Sequence, residues 1–310
     1  MSGSHIIVTG ASGLLGNAVR LVLEERGCKV LAVDRSAGQV DGRPVLAADV
    51  TDVHALHGLA HEHDIGGIIH CGAFSGPMVA ADSPVQMVDV NIVGTANMLE
   101  LARRVGGVRF VFCSSASAVG PTPEGLSPVT EAVATNPSTV YGASKVAGEA
   151  LVSGYRRQFG VDGVSIRISW VYGPRRTTSC VIRQMITDAL AGRPTRLPYG
   201  KGFPRQFIHV SDAAVALVAA FDHPDLPLNT YNVTGGDFTT LDDVAEAVRG
   251  IEPRSDIALD EGTDPGDDFQ QRFDISAAAR DFGYRPGVSL AEGITAYRDW
   301  LAAQAGKDSE

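Results

Sequence analysis

Tyr141 and Lys145 stand four residues apart in the segment Val140-Tyr-Gly-Ala-Ser-Lys-Val-Ala-Gly-Glu149. Side chains four residues apart on a helix project from one face, so a helix over this segment would bring the two together. A lysine ammonium beside a tyrosine hydroxyl favours the phenolate, which can take up a proton near neutral pH. The pair is therefore a candidate acid–base couple, although the same spacing also arises on helices without a catalytic role.

A second chemical signal lies at the start of the chain, where three glycines follow a short apolar run. His5-Ile-Ile-Val-Thr9 predicts a buried strand, and Leu14 to Arg26 predicts a helix that is apolar on one side. Gly10, Gly13 and Gly16 allow a tight turn, close approach of a pyrophosphate, and close packing of helix on strand. Because a helix N-terminus offers unpaired N–H groups to an anion, the segment predicts a dinucleotide-binding loop.

Asp34 indicates which dinucleotide this loop binds. It follows the next predicted strand, Lys29 to Val33. A carboxylate at this point accepts hydrogen bonds from the adenosine ribose and repels a 2′-phosphate, so we expect NAD as the cofactor. Arg35 leaves NADP as the alternative, since an arginine can accommodate that phosphate.

The composition of the chain excludes several classes of protein. At 310 residues it can bury a sizeable core, and its 44% apolar and 20% charged residues are typical of a globular protein. A net charge of −10 argues against nucleic acid or an anionic membrane as the main partner. No apolar run approaches the roughly 18 residues of a membrane span, and the polar first residues lack signal-peptide features. Scattered cysteines without a C-x-x-C pattern favour reduced thiols, so we expect a cytoplasmic protein.

Strand and helix signals alternate through the first half of the chain, which predicts an α/β fold with a doubly wound parallel sheet. Strands are predicted at 5–9, 29–33, 44–47, 66–71, 108–113 and 163–168. Helices are predicted at 14–26, 52–62, 84–104, 140–159, 180–191, 241–249 and 289–303. We expect residues 1–170 and about 205–225 to form a cofactor-binding domain, and residues 171–204 and 226–310 to form a smaller, intertwined substrate-binding region. Ligands are then expected beyond the carboxyl ends of the strands.

Further motifs follow in order along the chain. They are Thr9-Gly-Ala-Ser-Gly-Leu-Leu-Gly16, Asp49-Val50, His70-Cys-Gly-Ala73, Val90-Asn-Ile-Val-Gly-Thr95, Ser114-Ser115, Tyr141 with Lys145, Val171-Tyr-Gly-Pro174, Arg205-Gln-Phe-Ile-His-Val-Ser-Asp212 and Gly283-Tyr-Arg-Pro286. Together they resemble the extended short-chain dehydrogenase/reductase family, the NAD-dependent epimerases and dehydratases related to UDP-glucose 4-epimerase. The resemblance extends from Ile6 to about Tyr297 and implies a Rossmann-type fold.

The resemblance assigns catalytic roles to three residues. Tyr141 is the base that removes a hydroxyl proton as hydride passes to NAD. Lys145 binds the nicotinamide ribose and promotes ionisation of the tyrosine. Ser115, with Ser117 as a second candidate, hydrogen-bonds the reacting hydroxyl, the alternative being that these serines only solvate a strand end.

The resemblance also implies a set of contacts with the cofactor. Asp49 and Val50 flank the adenine, and Asn91 holds the loops around the cofactor. His70 supports strand packing and takes no part in catalysis. The complete predicted cofactor-binding set is Gly10, Gly13, Leu14, Leu15, Gly16, Asp34, Asp49, Val50, Tyr141 and Lys145.

The substrate-binding residues depart from the family pattern. Arg205 resembles the arginine that grips the diphosphate of a nucleotide sugar, and its alternative is a surface ion pair. Relatives that act on nucleotide sugars often carry Asn where this chain has Trp170, and Arg-Pro-Gly-Asp where it has Asp264-Pro-Gly-Asp267. They also often carry Val-Tyr-Gly where it has Ala118-Val119-Gly120. These departures leave a smaller substrate, such as a free sugar or sugar acid, as an alternative. Four basic residues could compensate for the lost phosphate contacts, the alternative being that they are exposed charges: Arg175, Arg176, Lys201 and Arg272.

Two further patterns bear on metals and assembly. His54, His57 and His61 share a face of one predicted helix, but no cysteine or glutamate pair completes a site, so we expect no metal. The helices near 84–104 and 140–159 are apolar on more than one side. The resemblance implies that they form a homodimer interface, and burial within the monomer is the alternative.

Three functions are consistent with the sequence. The first is a nucleotide-sugar epimerase, whose cofactor is reduced and reoxidised in each turnover. The second is an NAD-dependent dehydrogenase of a free sugar, sugar acid or other small alcohol, which releases NADH. Arg205 and Gly283-Tyr-Arg-Pro286 favour the first, whereas Trp170 and Asp264 favour the second. The third is a catalytically silent NAD-sensing protein, which the retained Tyr141 and Lys145 disfavour.

Overall fold

The computed structural model describes residues 3–264 and 266–307. Its strands, numbered along the chain, are β1 (His5–Thr9), β2 (Lys29–Asp34), β3 (Gly38–Val40), β4 (Arg43–Ala47), β5 (Ile65–His70), β6 (Arg109–Ser115), β7 (Asp162–Ile168), β8 (Trp170–Tyr172), β9 (Thr195–Lys201), β10 (Pro204–Arg205), β11 (Phe207–His209), β12 (Thr230–Val233), β13 (Thr239–Thr240) and β14 (Ile257–Glu261). Its α-helices are α1 (Leu14–Glu25), α2 (Val53–Glu62), α3 (Pro84–Val88), α4 (Gly94–Val105), α5 (Val140–Phe159), α6 (Val181–Leu190), α7 (Val210–Asp222), α8 (Leu241–Ile251), α9 (Ser276–Phe282) and α10 (Leu290–Lys307). None of these helices has the length and apolar character needed to cross a membrane.

Eight strands form one large sheet in the order β12-β7-β6-β5-β1-β2-β4-β3. All neighbours are parallel except β3 and β4, which pair antiparallel. The register opposes Val8 to Ala32 in β2 and to Ile69 in β5, all of them buried. Continuous apolar strands of this kind are typical of a sheet that is covered on both faces.

Helices cover both faces of the large sheet. On one face α1 and α7 pack together over a core that includes Val19, Val164 and Leu217. On the other face α2, α4 and α5 cover a core that includes Leu56, Met98 and Phe110. The predicted doubly wound α/β fold is therefore confirmed.

A third apolar core lies beneath α6, α8 and α10, in the region of the chain that follows β8. It includes Ile186, Val244 and Tyr297, and a small parallel sheet of β9 and β14 lies next to it. β12 belongs to the large sheet although it lies within 226–310, so this range contributes to both parts of the fold. The division into a cofactor-binding and a substrate-binding domain stays a prediction.

The segment predicted as one helix over 84–104 is divided in three. α3 and α4 are separated by a π-helical turn, Asp89–Val93. This turn places the buried side chain of Asn91 so that it bonds both Phe74 and Ser144. Single π-helical turns of this kind are rare inside α-helices and occur frequently at functional sites.

Candidate active site

A cavity of about 450 Å³ opens at the carboxyl ends of the central strands. Thr9 of β1, Asp34 of β2 and Ser115 of β6 lie on its wall. Every residue of the predicted cofactor-binding set also lines it, namely Gly10, Gly13, Leu14, Leu15, Gly16, Asp34, Asp49, Val50, Tyr141 and Lys145. The structure therefore brings together residues from five separate segments of the sequence.

The glycine loop between β1 and α1 has no room for side chains. Gly10 has a φ of +67°, and a Cβ there would lie 2.9 Å from the Cα of Gly72. A Cβ on Gly16 would lie 2.1 Å from the carbonyl oxygen of Gly10. Gly13 caps α1 without a side-chain hydrogen bond, so the first N–H groups of the helix remain available at the cavity. The loop fits the pyrophosphate of a dinucleotide, which needs close approach to backbone.

Asp34 ends β2 beside this loop. Its carboxylate accepts hydrogen bonds from the backbone N–H of Ser12 at 2.9 Å and of Arg35 at 2.7 Å. These bonds fix the side chain at the cavity wall, where the adenosine ribose of a dinucleotide would lie. Asp49 and Val50 line the same part of the wall after β4.

α5 presents Tyr141 and Lys145 to the cavity from one face. Thr139 starts the helix, because its side chain accepts a hydrogen bond from the N–H of Gly142 at 3.0 Å. Lys145 is 4% exposed, and its Nζ donates to the carbonyl oxygen of Cys113 at 2.8 Å. The same Nζ lies 5.7 Å from the centroid of the Tyr141 ring. The two residues predicted to form an acid–base pair are thus adjacent and buried, and a hydrogen bond holds Lys145 in position.

Two serines face this pair from the end of β6. The Ser115 Oγ accepts a hydrogen bond from the N–H of Ser117 at 3.1 Å, and it donates to the Ser117 Oγ at 3.2 Å. Both residues line the cavity, and their contact with a substrate hydroxyl stays a prediction. Behind them, Ser114 donates to Glu149, which forms a buried ion pair with Arg167.

Asn91 and His70 support the cavity from behind. Asn91 accepts a hydrogen bond from the N–H of Phe74 at 2.8 Å and donates to the Ser144 Oγ at 3.0 Å, which joins the loop after β5 to α5. The His70 ring lies between Thr9 and Thr95, and burial together with the Lys145 charge lowers its pKa to about 3. His70 is therefore neutral, in keeping with the structural role predicted for it.

Part of the cavity wall was not predicted from the sequence. A late segment closes one end with Asp267, Asp268 and Gln270, and Arg176 lies there as well. Gln270 Nε2 donates to the carbonyl oxygens of Ala116 and Gly120, both at 2.9 Å. The Asp264-Pro-Gly-Asp267 motif was the sequence signal for this part of the wall. It lies far from the catalytic residues along the chain, so the sequence alone did not show that it reaches the cavity.

Arg205, the predicted substrate arginine, does not line the cavity. Its side chain is 3% exposed, and its Nη2 donates to Asp264 Oδ2 at 2.7 Å. Its Nε lies 2.8 Å from Asp267 Oδ2. The guanidinium stacks over Trp170, with 4.3 Å from its carbon to the ring centroid. Arg205 is thus ion-paired, as in the alternative prediction, but the pair is buried and does not lie at the surface.

We expect Asp267→Asn to gain stability relative to wild type as the pH rises. Burial raises the pKa of Asp267 from 3.8 to about 6, with Arg205 opposing and Asp264 adding to the shift. A carboxyl whose pKa is raised on folding contributes stability at low pH and loses it as the pH rises through that pKa. Urea unfolding should show the variant gaining about 2 kcal/mol on wild type between about pH 4 and about pH 8. If the difference in unfolding free energy between the variant and wild type stayed constant across this pH range, the raised pKa of Asp267 would be contradicted.

Three histidines, His54, His57 and His61, lie on α2. In the part of the chain that the structure describes, no group of three or more His, Cys, Asp or Glu residues is placed to hold a metal ion. His54 and His57 are exposed on the outside of the helix.

Comparisons with known proteins identify the family of the chain. The model of the NAD dependent epimerase/dehydratase family matches residues 6–234. UDP-glucose 4-epimerase of Mycolicibacterium smegmatis is 32% identical over 260 residues, covering 79% of this chain and 81% of that protein. dTDP-glucose 4,6-dehydratase of Escherichia coli is 30% identical over 274 residues, covering 78% of this chain and 75% of that protein.

A solved structure extends the likeness to the whole fold. The crystal structure of UDP-glucose 4-epimerase from Thermus thermophilus in complex with NAD has a TM-score of 0.83 and 28% identity. It covers 96% of this chain and 99% of that chain. From the family match and these relatives, the chain belongs to the NAD dependent epimerase/dehydratase family.

Proposed function

We propose that the protein oxidises a secondary hydroxyl of a carbohydrate, with Tyr141 as the base and NAD as the hydride acceptor. The observation that carries this proposal is the meeting of Tyr141, Lys145 and Ser115 on one cavity wall, next to the glycine loop. NAD, when bound, supplies a nicotinamide that accepts hydride. The remaining chemistry belongs to the side chains of this chain.

Each of these side chains has a defined task in the proposed reaction. Ser115 and Ser117 hydrogen-bond the reacting hydroxyl and hold its oxygen near Tyr141. Tyr141 takes the hydroxyl proton while the carbon loses hydride, so that the C–O bond becomes a carbonyl. Lys145 stabilises the charge on Tyr141, and its bond to the Cys113 carbonyl holds the ammonium in position.

Two fates of the carbonyl product define two candidate functions. In an epimerase the product stays bound and takes hydride back on its other face, so no NADH accumulates. The relatives named as epimerases support this candidate, as does the Gly283-Tyr-Arg-Pro286 motif. In a dehydrogenase the carbonyl product and NADH leave. The ion pairs that occupy Arg205 support this second candidate, because they leave that arginine unavailable to the diphosphate of a nucleotide sugar.

A substrate panel tests the proposal. The protein is incubated with NAD and nucleotide sugars, free sugars and sugar acids, with products followed by NMR and NADH by absorbance. Conversion without NADH supports an epimerase, and NADH that rises with product supports a dehydrogenase. Absence of conversion across the panel counts against carbohydrate oxidation.

The proposed preference for NAD depends on Asp34. We expect Asp34→Asn to lower the ratio of the NADPH to the NADH dissociation constant at least about tenfold, because the carboxylate no longer repels the 2′-phosphate. Asparagine can still accept the hydrogen bond from Ser12, so the loop keeps its shape. Fluorescence titration of both reduced cofactors measures the ratio without a substrate.

Asp41→Asn is the matched control for this change. Asp41 lies near the same loop, where its carboxylate pairs with Arg175, and it does not line the cavity. The control removes one negative charge and should leave the ratio unchanged. Equal ratios in wild type and Asp34→Asn would show that another group selects the cofactor.

We also propose that two copies of the chain associate through α3, α4 and α5. Val85, Val88, Val93 and Phe159 are large apolar side chains on or between these elements that remain exposed in the single chain. Light scattering after size exclusion should give twice the mass of the chain, and Val88→Asp should reduce it to one chain mass.

We propose a cytoplasmic location because the cysteines are reduced. All four are free thiols, and Cys71 and Cys113 follow one another's register at the ends of the neighbouring strands β5 and β6, where both line the cavity. An adjacent thiol pair persists in a reducing compartment. Fractionation of the native host tests this location.

A further inference from the structure

Arg205 is enclosed by protein on every side that the structure describes. Asp264 and Asp267 occupy its Nη2 and Nε at 2.7 and 2.8 Å, and Trp170 covers its face. Trp170 and Asp267 line the cavity in front of it. A ligand in the cavity therefore meets an indole ring and a carboxylate before it reaches the guanidinium.

The charges at this end of the cavity disfavour a phosphorylated ligand. The single positive charge of Arg205 is shared by Asp264 and Asp267, and the wall of the cavity itself carries two acidic groups, Asp267 and Asp268. Asp264 accepts a charge-assisted hydrogen bond from the guanidinium, and Asp267 adds a second negative charge at ion-pair distance, so the two carboxylates stand where a phosphate group would otherwise bind. Displacing them would leave buried carboxylates unpaired, which is strongly unfavourable.

The segment that carries these carboxylates is tied to the rest of the fold. The N–H of Thr122 donates to the Phe269 carbonyl at 3.0 Å, and the N–H of Gln271 donates to the Thr122 Oγ1 at 2.7 Å. Ser138 donates to Asp268 at 2.7 Å. These bonds lie on both sides of the cavity end, so the ion pairs of Arg205 belong to a built wall.

We propose that Asp264 and Asp267 fill the anion-binding position of Arg205 with the protein's own carboxylates, and that the cavity takes a sugar without phosphate groups. This inference rests on the proposed oxidation of a carbohydrate. In it, Asp267 accepts a hydrogen bond from a sugar hydroxyl that is distant from the reacting one. Arg176, which lines the same end, is held by the carbonyl oxygens of Val171 and Ser179 and contributes the balancing positive charge.

Titration of UDP into the NAD-loaded wild-type protein tests the inference by calorimetry. We expect a dissociation constant weaker than about 1 mM, and conversion in the substrate panel confined to unphosphorylated sugars. UDP binding tighter than this, or conversion of UDP-glucose, would overturn the inference and leave carbohydrate oxidation standing. If neither phosphorylated nor unphosphorylated sugars are converted, the proposed function fails. The UDP titration still shows whether Asp264 and Asp267 fill the anion-binding position of Arg205.

A double variant, Asp264→Asn with Asp267→Asn, frees the charge of Arg205. We expect it to bind UDP with a dissociation constant of about 100 µM or lower, at least about tenfold tighter than wild type. Asp256→Asn is the matched control, because it neutralises one carboxylate of the exposed ion pair with Arg196. A folded double variant that binds UDP no better than this control would overturn the inference. If the double variant does not fold, the wild-type titration decides alone.

Discussion

Replacing Tyr141 with phenylalanine should lower kcat about 1,000-fold and change the affinity for NAD far less, because the other predicted cofactor contacts remain. A positioned acid–base group contributes about 100-fold to 10,000-fold to catalysis, and the tyrosine hydroxyl is the proposed proton acceptor. The ring itself is buried on α5, and phenylalanine preserves its shape. The loss should therefore fall on kcat and not on stability. Steady-state kinetics with the best substrate of the panel measures the rate, and NADH fluorescence measures cofactor affinity.

Tyr155→Phe is the matched control for that experiment. It also removes one tyrosine hydroxyl from α5. Tyr155 packs against Phe159 and does not line the cavity. We expect its kcat to stay within about threefold of wild type, since it touches neither substrate nor cofactor. If Tyr141→Phe kept a comparable rate, Tyr141 would not be the base.

The first half of the fold could be predicted because its signals are local. The apolar strands β1, β2 and β5 are each bounded by turn or helix signals within a few residues. Helix α5 spans Val140–Phe159, as predicted, because Thr139 caps its start and Gly160 ends it with a left-handed backbone. In these segments residue propensity, apolar periodicity and helix capping all favour the same secondary structure, so tertiary contacts do not change it.

The second half depends on pairing between distant segments. β9 and β14 are parallel strands whose partners, such as Thr195 and Ile257, lie far apart along the chain. β12 completes the large sheet from a range predicted to cover substrate. Short strands like these have no periodicity that distinguishes them from loops, and only the folded core selects their partners.

The same difference explains the candidate site. The glycine loop, Asp34, Tyr141 and Lys145 each belong to a compact motif, and all of them line the cavity. Asp267 and Gln270 reach it through a late segment that returns to the end of β6. The residue type of Arg205 predicted a positive charge that could bind a substrate phosphate. In the structure that charge is paired with two aspartates, and both lie far from Arg205 along the chain.

Gly16→Ala should abolish tight NAD binding and destabilise the protein. The added Cβ would lie 2.1 Å from the Gly10 carbonyl oxygen and 2.6 Å from its carbon, and both atoms belong to backbone. Helix α1 must therefore move away from the loop that receives the pyrophosphate. Overpacking of this kind costs about 1–3 kcal/mol, and a shift of about 1 Å at a binding site can cost about 100-fold. Urea unfolding and NADH fluorescence titration measure the two effects.

Gly58→Ala decides whether the loss comes from the close approach or from the substitution itself. Gly58 also lies in a helix, α2, and a Cβ there would meet nothing within 4 Å. Alanine is favoured over glycine in a helix by about 1 kcal/mol, so this control should stabilise the protein and leave NAD affinity unchanged. The same chemical change is thus expected to act with opposite sign at two helical glycines. If Gly16→Ala also stabilised the protein and bound NAD normally, the tight packing of α1 on the loop would not be what forms the cofactor site.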